Sequence, residues 1–432
     1  MKRLLASPFL LGLFFLVGCS SKEPLPGTRE ELVIAEMREG KIADELDSSP
    51  VIPEPEKNNS ECPQAFFNAS HCYPPLKFSL SPLEVWSSDL DFESSKSVIM
   101  TAAPVIADGK IFCIDAGGIV YALDRKTGER LWRMSTTIIG KDGQIGGAIA
   151  YDNGRLIVTS SFSECFALDA KSGEILWRIK LPAACKGDGI TVSSGKAFIS
   201  CSNSSLQAVD VNSGKILWSH SGMVSDATYI GNSGAAVVDG VVYLTYPSGE
   251  VYALLEETGA VIWDAMMSKF SLTNVSRAFA HPRACPIVKD GIVYISAANA
   301  QTSAFDVKTG KPIWKSDFGS VQTPIVSGNS IFIFNARSEL VCLNKENGKK
   351  RWSRQLTSDE EHISDWHGML LLKDNLLVIS PRGRLMFVSI YDGKIVRTTD
   401  IEDGGDGISV NPAIADGTMY LLMNEGKILA YR

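Results

Sequence analysis

From about residue 83 to the C-terminus the chain alternates short apolar runs with two-residue turn signals, as in PVIADGKIFCID and AAVVDGVVYLTY. The runs are rich in Val, Ile, Phe and Tyr, and their apolar residues are consecutive. That pattern predicts strands covered on both faces. Asp108-Gly109, Asn153-Gly154, Ser194-Gly195, Asp239-Gly240, Asp290-Gly291, Gly328-Asn329, Asp374-Asn375 and Asp416-Gly417 fall between such runs. Pairs of this kind accept the positive φ angles of tight turns, so each predicts a hairpin joining the first two strands of a unit.

A longer repeat lies over this one. ALDRKTGERLW, ALDAKSGEILW, AVDVNSGKILW, ALLEETGAVIW, AFDVKTGKPIW and CLNKENGKKRW each place a Trp four residues after a Gly. Trp132, Trp177, Trp218, Trp263, Trp314 and Trp352 recur about every 40 to 50 residues, near the period of four-stranded propeller blades. A seventh copy, VSIYDGKIVR, keeps Gly393 and has Arg397 at the Trp position. Eight hairpin signals predict eight blades. The chain stops at GKILAYR, three strands into the last blade, while LEVWSSDL carries Trp86 at the repeat position. Residues 83–89 are therefore expected to supply the missing strand and close the ring, removing an exposed sheet edge. Asp124, Asp169, Asp210, Asp306 and Asn344 are placed to accept hydrogen bonds from turn amides, and the tryptophans to bury a flat face against the next blade. The fold class is all-β, an eight-bladed β-propeller over residues 83–432.

The first 82 residues read differently. Met1-Lys2-Arg3 and the run LLASPFLLGLFFLVGC form a signal peptide over residues 1–18, since a bilayer span needs about 20 apolar residues and different flanks. Its end, LVGC, resembles the lipobox of bacterial lipoproteins, which implies cleavage before Cys19 and lipidation of that residue. Ser20 and Ser21 follow it in place of an Asp, and by the same resemblance this implies an outer-membrane address. Residues 19–82 contain the stretch SSPVIPEPEKNNSECP, rich in proline and charge, and are expected to be a mostly flexible tether that the propeller does not need for stability.

Charge and cysteine content narrow the chemistry. A net charge of −7, from 42 basic and 49 acidic residues mixed along the chain, points away from nucleic acid. Of nine cysteines, eight remain beside Cys19, and none forms a CxxC pair. Cys62 and Cys72 share one Pro- and Asn-rich stretch and are expected to form a disulfide; Cys113 and Cys342 lie in strand runs and read as buried small apolar residues. His71, His220, His281, His362 and His367 are scattered, so no metal site is expected.

The small-apolar-Asp, Thr/Ser-Gly, Trp pattern resembles the PQQ-type propeller repeat over roughly residues 83–432. Two families share it, the quinoprotein dehydrogenases and BamB, a lipoprotein family of outer-membrane β-barrel assembly. A lipobox joined to a single ring of this size is similar to BamB. That resemblance implies a non-enzymatic scaffold without cofactor, anchored on the outer membrane and facing the periplasm. It implies binding to the periplasmic domains of the barrel-forming subunit BamA, and assistance to unfolded outer-membrane proteins. The implied partner surface lies on loops between the third and fifth blades, corresponding to HSGMVSDATYIGNS and NVSRAFAHPRACP, with Met223, Tyr229, Phe279, His281 and Arg283 as contact residues. His281 and Arg283 stand where the family pattern has aspartates, so the region carries over and the individual roles do not. A PQQ-dependent dehydrogenase would use adjacent cysteines and long pocket-building insertions, which the chain lacks; Asp188 and Asp406 read as loop carboxylates. A third reading is an envelope propeller for another partner, because a fold does not fix a function.

Overall fold

The computed structural model describes residues 46–90, 100–136, 146–223, 232–267, 284–297, 301–320, 322–335, 337–356, 367–380, 383–401 and 407–432. Its strands form eight four-stranded antiparallel sheets. Blade one comprises Val105–Ala107, Lys110–Ile114, Ile119–Asp124 and Arg130–Ser135, in that order outward. Blades two to seven repeat this plan over Gly147–Lys180, Ile190–Ser221, Ala236–Met266, Ile287–Ser316, Ile325–Gln355 and His367–Asp400. First strands of blades one to five meet in succession around the centre, and the first strand of blade eight returns to that of blade one. In blade eight, Ala413–Ala415, Thr418–Leu422 and Lys427–Tyr431 are completed by Glu84–Asp89, with Trp86 opposite Ala430. Leu83 and Arg432 exchange two backbone hydrogen bonds of 2.9 Å where the ends of the ring meet.

Six of the eight hairpins place both residues of the turn pair at positive φ, as at Asp108 (50°) and Gly109 (69°). Two depart from that form. In blade six only Gly328 is positive, as a Gly-first turn requires, and in blade seven the turn is Lys373-Asp374, with Asn375 already in the strand. At the outer hairpin Asp124 accepts hydrogen bonds from the amides of Lys126 (2.8 Å) and Thr127 (3.0 Å), and those amides hold its carboxyl below the usual range. Each outer strand carries a β-bulge one residue before the repeat position, as at Leu131, Leu176 and Ile262. The bulge turns the following Trp onto the next blade. A Cβ added at Gly310 would lie 2.5 Å from the ring of Trp263, so only glycine admits this stacking, and the Trp263 indole N–H donates to the Val307 carbonyl at 3.0 Å.

Two expectations for the N-terminal region are corrected. Residues 46–82 are not a free tether; they run across the hairpin end of the ring and into its centre. The first strand of each blade is a sheet edge whose outward N–H and C=O groups need partners. Cys62 and Ile106 exchange two backbone hydrogen bonds of 2.8 Å; Tyr151 donates to Pro63, Val237 to Ala69 and Val288 to Ser70. The Gln64 side-chain amide pairs with both N–H and C=O of Val192. Cys72 contacts the Val326 carbonyl, Leu76 donates to Leu371, and Asp416 donates to Asn59. All eight blades are touched. Tyr73 and Leu76 are buried, and Val51, Phe67, Phe78 and Leu80 pack partly buried beside them. Single apolar residues spaced among prolines and asparagines do this, which composition averaged over a window conceals. Nor are Cys62 and Cys72 joined. Both thiols are free, Cys62 against blade one and Cys72 against blade six, because the segment between them crosses the channel.

Blade six is built to receive this segment. Gly328 stands where most blades have Asp or Asn, and a Cβ there would come within 1.8 Å of the Ile52 carbonyl oxygen. Asn329 accepts from the Ile52 amide and donates to the Pro50 carbonyl, both at 2.9 Å. Asn344 and Asn347 donate to Asp47, and Arg351, which replaces the usual exposed apolar bulge residue, is buried and donates to Ser49 at 3.0 Å.

His71 is fully enclosed by this packing, with Nδ1 2.9 Å from the Pro286 carbonyl and Nε2 3.3 Å from the Thr191 hydroxyl. Burial lowers its pKa to about 4, while the Pro286 carbonyl opposes that shift. Between pH 6.5 and 4 the unfolded chain thus binds a proton that the folded chain does not. This contribution to stability is intact above pH 6.5 and is lost as pH falls toward 4, by up to about 3 kcal/mol. Chemical denaturation at stepped pH should show this slope, and His71→Gln should flatten it; parallel curves would assign acid sensitivity to other groups.

Candidate partner-binding face

In every blade the hairpins lie at one end of the ring, while the strand ends that lead from second to third strands and from one blade to the next lie at the other. The hairpin end carries the N-terminal segment. At the loop end, the residues leading into blades three to six are tied in a row. Asn232 and Lys186 exchange hydrogen bonds of 3.0 Å through the Asn232 amide and side-chain oxygen. The Ser233 hydroxyl donates to the Ala284 carbonyl at 3.1 Å, the Gly234 amide to the Cys285 sulfur at 3.1 Å, and the Cys285 amide to the Thr323 hydroxyl at 2.9 Å. Burial pushes the Cys285 thiol up to about 12, so it serves as a neutral acceptor. The stretches into blades four and five are thus joined at their bases.

A buried polar cluster fixes the start of the first stretch. Glu250, 7% exposed, accepts from the Met223 amide and the Ser248 hydroxyl, both at 2.7 Å, and from the Tyr252 hydroxyl at 2.8 Å. A buried carboxylate needs this number of donors. His220 stacks on Tyr246, meets Tyr252 edge-on with centroids 4.5 Å apart, and has Nδ1 2.9 Å from the Tyr246 hydroxyl. Burial lowers its pKa, against the opposing charge of Glu250. The cluster anchors the backbone at Met223, a residue that is 47% exposed.

Met223 is the predicted contact residue whose surroundings are described. Tyr229, Phe279, His281 and Arg283 lie outside the described residues, as does Cys19. Glu250, His220, Tyr246 and Tyr252 were not among the predicted site residues. A Glu opening a strand in EVYALL resembles Glu164 and Glu339 of other blades, and only the tertiary fold brings the Met223 amide to it. At the ring's centre a cavity lies against Gln64, Phe66 and Tyr73 of the N-terminal segment and is lined on the blade side by Asp188, Gln322 and Asn411.

Eight four-stranded blades, with Trp on Gly at seven of their eight junctions and the entries to blades three to six tied together at one end, define a propeller of PQQ-like repeats. The family model described as outer membrane protein assembly factor BamB matches residues 84–142 and 116–354, and the chain belongs to that family. It is 28% identical over 368 residues to the outer membrane protein assembly factor BamB of Shigella dysenteriae, covering 82% of this chain and 90% of that one. The Escherichia coli protein of the same name is 27% identical over the same coverage. The crystal structure of BamB from Moraxella catarrhalis superposes with a TM-score of 0.68 at 17% identity, over 82% of this chain and all of that one. A quinohemoprotein alcohol dehydrogenase from Comamonas testosteroni shares the fold, with a TM-score of 0.65 at 14% identity over 86% of this chain and 80% of that one.

Proposed function

We propose that the chain is a non-enzymatic scaffold of outer-membrane β-barrel assembly, lipid-anchored through Cys19 on the outer membrane and facing the periplasm. It binds the periplasmic domains of a BamA-like subunit through the loop end of blades four and five, and so assists unfolded outer-membrane proteins to fold and insert. The observation that carries this reading is the joining of the two loop stretches at their bases, Ser233 to Ala284 and Gly234 to Cys285, on the same end of the ring as the exposed Met223. The naming of the relatives as assembly factors supports the process, and occupation of the hairpin end of the channel by residues 62–76 of the chain itself supports a scaffold over an enzyme. Aromatic and Arg side chains carry much of the energy at protein interfaces.

Titrating purified periplasmic domains of the barrel-forming subunit against parent, Phe279→Ala and Arg283→Glu chains tests the surface. Each substitution should weaken binding by more than about 1 kcal/mol with little change in melting temperature. Unchanged affinity in both would move the interface elsewhere, and no binding by the parent would assign the face to another envelope partner. Anchoring is tested separately. Cys19→Ala should abolish fatty-acid labelling and release the protein from the membrane fraction, since acyl chains contribute about 0.8 kcal/mol per buried CH2; a variant still labelled and sedimenting would refute the lipidation site.

A further inference from the structure

Neighbouring blades are locked by one recurrent contact, a Trp on the outer strand of one blade against the Gly of the outer hairpin of the next. Trp86 meets Gly128, Trp132 Gly173, Trp177 Gly214, Trp218 Gly259, Trp263 Gly310, Trp314 Gly348 and Trp352 Gly393. These are seven of the eight junctions in the ring. Between blades seven and eight both halves of the contact are replaced. Blade seven has Arg397, exposed, at the Trp position. Blade eight has no outer hairpin, because its third strand ends at Tyr431 and its fourth is supplied by Glu84–Asp89.

Two passes of the N-terminal segment meet at this same junction. On one pass Leu76 donates to the Leu371 carbonyl and pairs with Leu372 of blade seven. On the other, the Asn59 side-chain amide donates to the Ile414 carbonyl and its own carbonyl accepts from Asp416, both in blade eight. The two passes are bridged to each other through Lys57 and Leu76, the Lys57 amide donating to Pro75 at 2.9 Å. Blade seven, two passes of the segment and blade eight thus form a continuous hydrogen-bonded path. Beneath it, Tyr73 and Leu76 are buried in the apolar cluster shared by blades six to eight, with Phe387, Ile414 and Leu429.

We propose that residues 57–76 are a clasp for the junction of blades seven and eight, joining them where the Trp-on-Gly contact is missing. Hydrogen exchange of the folded chain, read by mass spectrometry, resolves openings blade by blade. In a Tyr73→Ala/Leu76→Ala chain, amides of 375–389 and 413–431 should exchange roughly tenfold faster or more, while those of 155–169 and 241–255 keep the parent rate. Asn59→Ala, a milder change, should raise exchange at the same two places by less. Trp218→Ala should do the reverse, loosening blades three and four and sparing seven and eight. Parent-like exchange at blades seven and eight in the Asn59 and Tyr73/Leu76 variants, or a rise spread evenly round the ring, would overturn the clasp.

Discussion

A chain that begins at Leu83 is expected to melt well below one that begins at Leu46. The longer chain buries Cys62, Tyr73 and Leu76, each at 5% exposure or less, and gives the inner edge of every blade a partner. Full burial of one such side chain contributes about 1.5 to 3 kcal/mol, and the conformational entropy of ordering the segment offsets part of the sum. The expected net loss is at least about 3 kcal/mol. Thermal melts of the two purified chains measure it directly, and equal melting temperatures would mean that residues 46–82 lie on the ring without stabilising it. Cutting past Asp89 is more severe. It removes Trp86 from Gly128 of blade one and bares the edge at Lys427–Tyr431, so that chain is expected to lose its cooperative transition.

Trp263→Ala should cost about 3 to 5 kcal/mol, the range for emptying a large aromatic site in a packed interior. Trp263 is 7% exposed, lies on Gly310, packs near Tyr243 and donates to the Val307 carbonyl, so the deletion removes packing and the shorter of the two hydrogen bonds to that carbonyl, leaving it the Tyr243 hydroxyl at 3.4 Å. Arg397→Ala, at the same repeat position in blade seven, should stay within about 0.5 kcal/mol because that side chain is exposed. Denaturant melts of the two variants separate the cases. A small effect at Trp263 would shift the weight of blade locking to the β-branched strand residues, and a large effect at Arg397 would give that junction a contact of its own.

The blades were legible because the same physical demands recur in each. A hairpin needs positive φ at its turn pair, and a Trp that stacks on the next blade needs a Gly beneath it, so both leave residues at fixed intervals. Departures from the repeat carried information too. Gly328-Asn329, Asn347 and Arg351 look like drift when blade six is read alone, and become intelligible once Asp47, Ser49 and Ile52 are seen against them. Arg397 is similar: no glycine hairpin in blade eight awaits a Trp there. The N-terminal segment was misread because its contacts are long-range and one residue at a time, with no period of 2 or 3.6 to betray them. The Cys62–Cys72 expectation failed for the same reason, since closeness in sequence says nothing of a chain that spans a channel between the two. At the loop end, the Glu250 cluster depends on a backbone amide, which has no signature in the sequence.

The strand that completes blade eight has a consequence for the order of events in folding. Glu84–Asp89 is made near the start of the chain and its partner, Lys427–Tyr431, at the very end. Seven blades can assemble as they are synthesised, each from neighbouring hairpins, but the ring cannot shut until the last residues arrive. Contacts of such sequence separation are slow to form, because the loop-closure entropy is lost before any pairing compensates it. Ring closure should therefore be the late, rate-limiting step. A chain stalled or cleaved short of residue 427 would keep two unpaired strand edges, one at each terminus, and be held open for chaperones or proteases to find.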